Sequence, residues 1–305
     1  MARLSSKIAA CLSLVSLLSG VQGGTIKARG SSGCGKTHDF VGQTREFSLE
    51  SSGGERSYRI HLPSKYTPST ARQLLIAYHG HGNNPAKFEN ETRFSEESVN
   101  PDMIVVYPRG IKKSWQGPTY AAPNVSDKVF TTDLVNHIKA EYCVDESRVY
   151  AVGHSNGGGF VGTLACSPGH GGQFAAFAAV SGAFYTDVSG DEHCHPSRSP
   201  LPMFEAHGTG DTTIPYGGEP NGEGGPLPSI PDWVSRWSRR NKCDAPKQTD
   251  QGNGIHDSQY TCQGVVDGLE HIKVDGMPHA WPAPGSKFDD VASRVIGFLK
   301  KHRKP

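Results

Sequence analysis

The segment Gly153-His154-Ser155-Asn156-Gly157 constrains this chain more than any other. It follows the β-branched and aromatic run Val149-Tyr150-Ala151-Val152 and precedes Gly158, Gly159 and an apolar stretch starting at Phe160. G-x-S-x-G between a strand and a helix is a nucleophile elbow. A serine hydroxyl is a weak nucleophile, so it must be held out on a sharp turn where a histidine can take its proton. Such a turn puts the serine in strained backbone geometry, and flanking glycines let neighbouring segments approach without Cβ clashes. A helix starting just after Ser155 also aims N–H groups at any oxyanion formed beside it. The plain alternative is a glycine-rich structural turn; the strand before and the helix after favour a reactive serine.

The rest of the chain fits that setting. Leu74 to Tyr78, Met103 to Tyr107, Val149 to Val152, Phe177 to Val180, Pro202 to Ala206 and Leu269 to Val274 read as short strands. Phe130, Leu134 and Ile138 repeat at helical spacing, as do Val291, Val295 and Phe298. Strands alternating with helices predict an α/β fold, a mostly parallel, doubly wound sheet with helices on both faces. Glu46 to Leu49 and Ser57 to His61 would add an antiparallel hairpin turning near Ser51-Ser52-Gly53-Gly54. No repeat, linker or second compositional block interrupts the sequence, so residues 24–305 read as a single catalytic domain with no carbohydrate-binding module. Gly24 to about His38 reads as a loose arm.

Residues 1–23 read as a signal peptide: Arg3 and Lys7, an apolar run from Ile8 to Leu18, then the small-residue site Val21-Gln22-Gly23. The apolar run is too short to span a bilayer. The expected location is therefore secreted and extracellular. Cys11 leaves with the signal, and Cys34, Cys143, Cys166, Cys194, Cys243 and Cys262 remain, an even set that implies up to three disulfides in an oxidising compartment. Cys243 with Cys262 is the preferred pair, because the polar insert Asp244 to Tyr260 reads as a closed loop or hairpin. Asn90-Glu91-Thr92 and Asn124-Val125-Ser126 are glycosylation sequons. Lys and Arg number 31 against 30 Asp and Glu, a balance that favours neither nucleic acid nor an anionic membrane as partner.

In α/β-hydrolases the serine is followed by an acid and then a histidine. The strand Pro202 to Ala206 runs into His207-Gly208-Thr209-Gly210-Asp211, which puts Asp211 just past a strand end. Its task would be to hold the histidine's tautomer and stabilise the imidazolium. Asp187, Asp191 and Asp232 are the next acids to test. His279, in Met277-Pro278-His279-Ala280-Trp281-Pro282, lies past a late strand, where the base belongs. His154 is expected to point away from its neighbour Ser155, and His207 to pack. The oxyanion hole needs two backbone donors: Asn156, after the nucleophile, and His81 or Gly82 in the turn His79-Gly80-His81-Gly82.

Two other patterns carry less. Gly30-Ser31-Ser32-Gly33-Cys34-Gly35-Lys36-Thr37 matches a P-loop letter for letter, but no strand pattern precedes it. His193-Cys194-His195 could suggest a metal, but Cys194 is wanted for a disulfide and no second pair lies at zinc-site spacing. No metal and no cofactor is expected.

Tyr78-His79-Gly80, Tyr107-Pro108-Arg109-Gly110, Ser114-Trp115, Asp145 to Tyr150, Gly153 to Gly159, His207 to Asp211 and His279-Ala280-Trp281-Pro282 occur in the order seen in secreted carbohydrate esterases related to polyhydroxybutyrate depolymerases. The chain resembles most closely the fungal feruloyl esterase C group, from about Cys34 to the last helix. The resemblance implies an α/β-hydrolase fold and places the nucleophile on Ser155, the acid on Asp211 and the base on His279. It implies hydrolysis of feruloyl and related hydroxycinnamoyl esters on plant cell-wall polysaccharides or oligosaccharides such as arabinoxylan and pectin; separately, a monomer is expected, though the sequence does not fix the oligomeric state. Many depolymerases of the group carry a cysteine in the oxyanion turn, where this chain has His81. Acetylxylan esterase and polyester depolymerase activities are the alternatives; a non-catalytic polysaccharide-binding protein is a reading of another class. A planar phenolic acid needs a flat apolar slot, and Trp115, Tyr120, Phe160 and Trp281 are its candidate walls.

Overall fold

In the computed structural model, residue 1, residues 30–188 and residues 191–305 are described. The expected signal segment, with Cys11, and the start of the arm at residues 24–29 lie outside the described residues, apart from residue 1.

Among the described residues ten strands form one sheet: β1 (Thr44–Ser51), β2 (Gly54–His61), β3 (Arg72–Tyr78), β4 (Ile104–Pro108), β5 (Val144–His154), β6 (Ala176–Val180), β7 (Met203–Gly208), β8 (Lys247–Asp250), β9 (Ile255–Cys262) and β10 (Val265–Val274). Their order across the sheet is β1-β2-β4-β3-β5-β6-β7-β10-β9-β8. The six central strands, β4 to β10 in that order, pair in parallel. These are the six runs expected from sequence. Their alternate side chains enter two separate cores, which is why they read as continuous apolar stretches. Leu74, Ile76, Ala151, Phe177, Ala179 and Met203 face one core; Leu75, Ala77, Tyr150, Val152, Ala178 and Phe204 face the other.

Helices cover both faces: α1 (Pro85–Thr92), α2 (Asp127–Glu141), α3 (Asn156–Ala165), α4 (Pro168–Gly171), α5 (Ile230–Arg240) and α6 (Val291–Lys300). The two helices expected from apolar spacing are α2 and α6. Helix α5 buries Ile230, Trp233, Val234 and Trp237 at the same spacing, and the Ser229 hydroxyl caps it by accepting from the Asp232 N–H. Beyond β10 the sheet continues through the antiparallel strands β9 and β8. This extension occupies the insert expected as a closed loop or hairpin.

Three disulfides join the six cysteines: Cys34–Cys143, Cys166–Cys194 and Cys243–Cys262. The last is the pair expected from the insert. The first corrects the reading of residues 30–38 as a loose arm. The N–H of Ser31 donates to Val144 O and that of Gly33 to Lys139 O, while Cys34 is bonded to Cys143. Lys36, the P-loop lysine by pattern, pairs with Glu141. The second disulfide ties the end of α3 to the loop carrying Cys194, so that cysteine carries no free thiolate for a metal.

Candidate active site

The elbow forms because only glycine fits on either side of the serine. A Cβ at position 153 would lie 2.2 Å from Gly157 O, and one at position 157 would lie 2.2 Å from Tyr78 O. Strand β5 therefore turns directly into α3, with β3 pressed against the turn. Ser155 sits between them at φ 55°, ψ −123°, outside the regions that L-residues favour. Such strain costs on the order of 1–3 kcal/mol. Glycine at 155 would carry none of it, so Ser155→Gly should melt at a higher temperature than wild type while losing the hydroxyl. An unchanged or lower melting temperature would show the turn to be relaxed.

The Ser155 hydroxyl donates to His279 Nε2 at 2.8 Å, and His279 Nδ1–H donates to Asp211 Oδ2 at 2.7 Å. Asp211 Oδ1 accepts from the N–H groups of Thr213 and Ile214 at 3.0 and 2.8 Å. The three residues come from three loops past the C-terminal ends of β5, β7 and β10, the rim where doubly wound sheets place their ligands. Burial of Asp211 opposes its charge, but hydrogen bonds from His207 and His279 outweigh that and hold the carboxyl far below the usual range. Among the other acids considered, Asp187 is bound by Arg240 through both carboxylate oxygens, and Asp232 closes the first turn of α5.

His154 has a place beside the site that the sequence did not suggest. Its ring stacks on His279 with centroids 5.2 Å apart. Burial first, and the neighbouring His279 second, press its pKa down to about 3. It is therefore a neutral plate stacked against His279.

On the oxyanion side, Asn156 opens α3 and its backbone N–H has no acceptor one turn earlier in the helix. Its side chain is fully used: Oδ1 accepts from the Trp115 N–H at 2.7 Å and Nδ2 donates to Trp115 O at 3.1 Å. The opposing turn is braced through His79. The N–H of Gly110 donates to His79 Nε2, which leaves the proton on Nδ1 to be donated to Gly80 O. Burial lowers the pKa of His79 to about 4, in keeping with that neutral ring. Gly82 donates its N–H to Lys113 O at 2.9 Å. This removes one of the two candidate donors in the turn and leaves His81.

The expected slot walls need correction. Trp115 and Phe160 are fully buried and stack on one another at 5.6 Å beneath the elbow. Trp115 Nε1–H donates to His79 O, so its indole supports the turn rather than facing substrate. Trp281 is also buried, edge-on to Phe88 and Phe94. Core packing, the commonest use of large aromatics, accounts for all three. Tyr120 alone of the four is half-exposed, 4.4 Å from the His81 ring and edge-on to Tyr185. Tyr185 packs with Ala183, Ile214 and Leu227 in a small cluster that sequence reasoning missed. The cluster is attached to the triad at both ends: Ala183 N–H donates to Ser155 O and Ile214 N–H to Asp211. No helical or strand periodicity marks these residues, since they sit on loops. The sequon asparagines Asn90 and Asn124 are exposed.

A ten-stranded, mostly parallel sheet with serine, acid and histidine gathered at one rim has the architecture of the α/β-hydrolase esterases. Residues 50–264 match the Esterase family, described as "Putative esterase", and the chain belongs to that family; it is a carboxylic ester hydrolase. Among curated proteins it is 26% identical to the probable feruloyl esterase C of Aspergillus flavus, over 92% of this chain and 93% of that one. It is 28% identical to feruloyl esterase B of Piromyces equi over 74% of this chain, a stretch that spans only 42% of that larger protein. Among solved structures it superposes on an acetyl xylan esterase from Aspergillus awamori with a TM-score of 0.61. That match has 18% identity and covers 84% of this chain and 99% of the other.

Proposed function

We propose that this chain is a secreted serine esterase that removes feruloyl and related hydroxycinnamoyl groups from plant cell-wall polysaccharides. The observation that carries the chemistry is the unbroken hydrogen-bond chain from Ser155 through His279 to Asp211. Ser155 Oγ attacks the ester carbonyl while His279 Nε2 takes its proton, and Asp211 stabilises the resulting imidazolium. The N–H groups of Asn156 and His81 hold the oxyanion. His279 then protonates the departing sugar alkoxide, leaving feruloyl-Ser155. Water, deprotonated by the same imidazole, releases the acid and frees the serine. No step calls for a cofactor or metal.

The acyl preference rests on the relatives named feruloyl esterase and on the half-exposed pair Tyr120 and Tyr185 with Leu227 and Ile214. Tyr120 and Tyr185, edge-on with centroids 6.2 Å apart, offer an aromatic surface carrying phenolic hydroxyls over the buried Ile214 and Leu227, suited to an aromatic acid. The three disulfides support an extracellular setting. Acetylxylan esterase activity is the second reading, favoured by the likeness to the Aspergillus awamori enzyme; a polyester depolymerase is a third. Initial rates on methyl ferulate, p-nitrophenyl acetate and a short hydroxybutyrate polymer separate the three. The feruloyl reading expects the highest kcat/KM on methyl ferulate, and a clear preference for acetate or polymer overturns it.

A further inference from the structure

Behind Asp211 lies a second set of titratable groups that the triad chemistry leaves unused. His207 and Glu205 are completely buried side chains on β7. His207 Nδ1 is 2.9 Å from Glu205 Oε1; its Nε2 is 2.8 Å from Ile214 O and 3.4 Å from Asp211 Oδ2. The other oxygen of Glu205 lies 2.7 Å from His271 Nδ1, and His271 Nε2 lies 2.9 Å from the Tyr216 hydroxyl. A carbonyl only accepts, so His207 Nε2 must carry a proton. Glu205 Oε1 faces Nδ1, so a proton must also lie on that line. Two carboxylates flank this one imidazole, and among the described residues the cation nearest to answering them is the imidazole itself.

We propose that His207 is a fixed imidazolium clamped between Glu205 and Asp211, a positioning residue that aims the acid of the triad at His279. The inference rests on the triad assignment made above. It extends the line to Ser155–His279–Asp211–His207–Glu205–His271–Tyr216, hydrogen-bonded throughout except for the 3.4 Å ion-pair contact between Asp211 and His207. Asp211 Oδ1 is fixed by two backbone N–H groups, and Oδ2 is shared between the base in front and the cation behind. The carboxylate therefore keeps one orientation whether or not His279 carries a proton. Glu205 balances the charge of His207, so the positive ring behind Asp211 does not cancel the field that the base needs. The outer end of the line, His271 and Tyr216, opens on a cleft of about 680 Å³ between α5 and the strands β8 to β10.

The protonation balance agrees with this arrangement. Burial alone would lower the pKa of His207, but Asp211 and Glu205 raise it to about 9. Burial would raise Glu205, and the two histidines bring it below its ordinary value. Facing His207 are Glu205 on its own strand, Asp211 and Tyr216 from the following loop, His271 and Lys273 from β10, and the neutral His154 at the end of β5. Lys273 pairs with Asp275, and the charged residues on the buried side of α5, Arg236 and Arg240, bind Asp187. Because His207 has a higher pKa folded than unfolded, its contribution to stability is complete below its ordinary value of 6.5. It is lost as pH rises through about 9.

Two measurements test the proposal. In wild-type protein labelled with ¹⁵N-histidine, NMR at pH 7 to 8 should detect one buried ring protonated on both nitrogens, assigned by its absence in His207→Gln. This readout needs no turnover, so it can fail while the triad assignment stands. Kinetically, Glu205→Gln should lower kcat roughly ten- to a hundredfold, the scale of a small misplacement of a reacting group, with KM within about twofold. Wild-type kcat should fall on an alkaline limb near pH 9. That limb should move to lower pH in Glu205→Gln and vanish in His207→Gln, which keeps one side-chain donor and should retain more activity. A neutral His207 in the spectra, or an alkaline limb unchanged in both variants, overturns the proposal even if both variants lose stability. Loss of the triad reading would announce itself differently, as undiminished turnover in Ser155→Ala.

Discussion

Ser155→Ala is expected to lower kcat by about 10⁶, the scale seen when the nucleophile of a serine hydrolase is removed. The variant should fold, because its methyl group occupies the same place on the turn and the backbone bonds of the elbow do not use the hydroxyl: Ser155 N–H donates to Val180 O, and Ser155 O accepts from Gly159 and Ala183. The residual rate would come from the oxyanion donors and from substrate binding. A fluorophosphonate probe gives the parallel readout. Wild-type protein should take one covalent label on Ser155 and the alanine variant none. Turnover within tenfold of wild type, or labelling elsewhere, would remove Ser155 from the mechanism.

Asp211→Asn is expected to lower kcat by about 10⁴ with the fold intact. Position 211 meets donors on every side. Thr213 and Ile214 present N–H groups to Oδ1, His279 presents its own to Oδ2, and the His207 Nε2 edge lies 3.4 Å from that same oxygen. An asparagine can keep the first pair with its carbonyl oxygen. Its amide nitrogen then points N–H groups at two rings that are themselves donating. His279 escapes by moving its proton to Nε2, the nitrogen that must accept from Ser155. The enzyme would remain folded with its base in the wrong tautomer. If Asp211→Asn turns over nearly as fast as wild type, another acid does this work. Asp187 is then a poor substitute, since Arg240 already occupies both of its oxygens.

The elements that sequence announced and those it hid differ for physical reasons. Parallel strands buried on both faces must be apolar throughout, so the six central strands stand out as runs. The elbow stands out because its glycines are required by contacts of 2.2 Å that no other residue survives. Helix α5 was not among the expected helices although its buried Ile230, Trp233, Val234 and Trp237 repeat at helical spacing among serines and arginines. Its start was nonetheless written in Ser229-Ile230-Pro231, a cap followed by an early proline. Strand β8 is exposed along its whole length and leaves no apolar trace. At the site, chain order and strand ends pointed to Ser155, Asp211 and His279, and the structure brings these three into one hydrogen-bonded line. The aromatic slot was not legible, because a tryptophan that supports a loop and one that lines a cavity look alike in one dimension. The choice between His81 and Gly82 depended on a single bond to Lys113, a residue in a loop about 30 positions away. His207 was read as a packing residue; Glu205, two positions back on the same strand, and Asp211, four positions ahead, put a carboxylate on either side of its ring.

The contorted backbone at position 155 sets two pressures on this chain against each other. Random substitution screened only for survival of heating would be drawn toward a smaller residue there, and every such gain would remove the hydroxyl on which the proposed chemistry depends. Ancestral or consensus redesign aimed at hardiness should therefore hold this turn out of the search and seek its gains in the exposed outer strands.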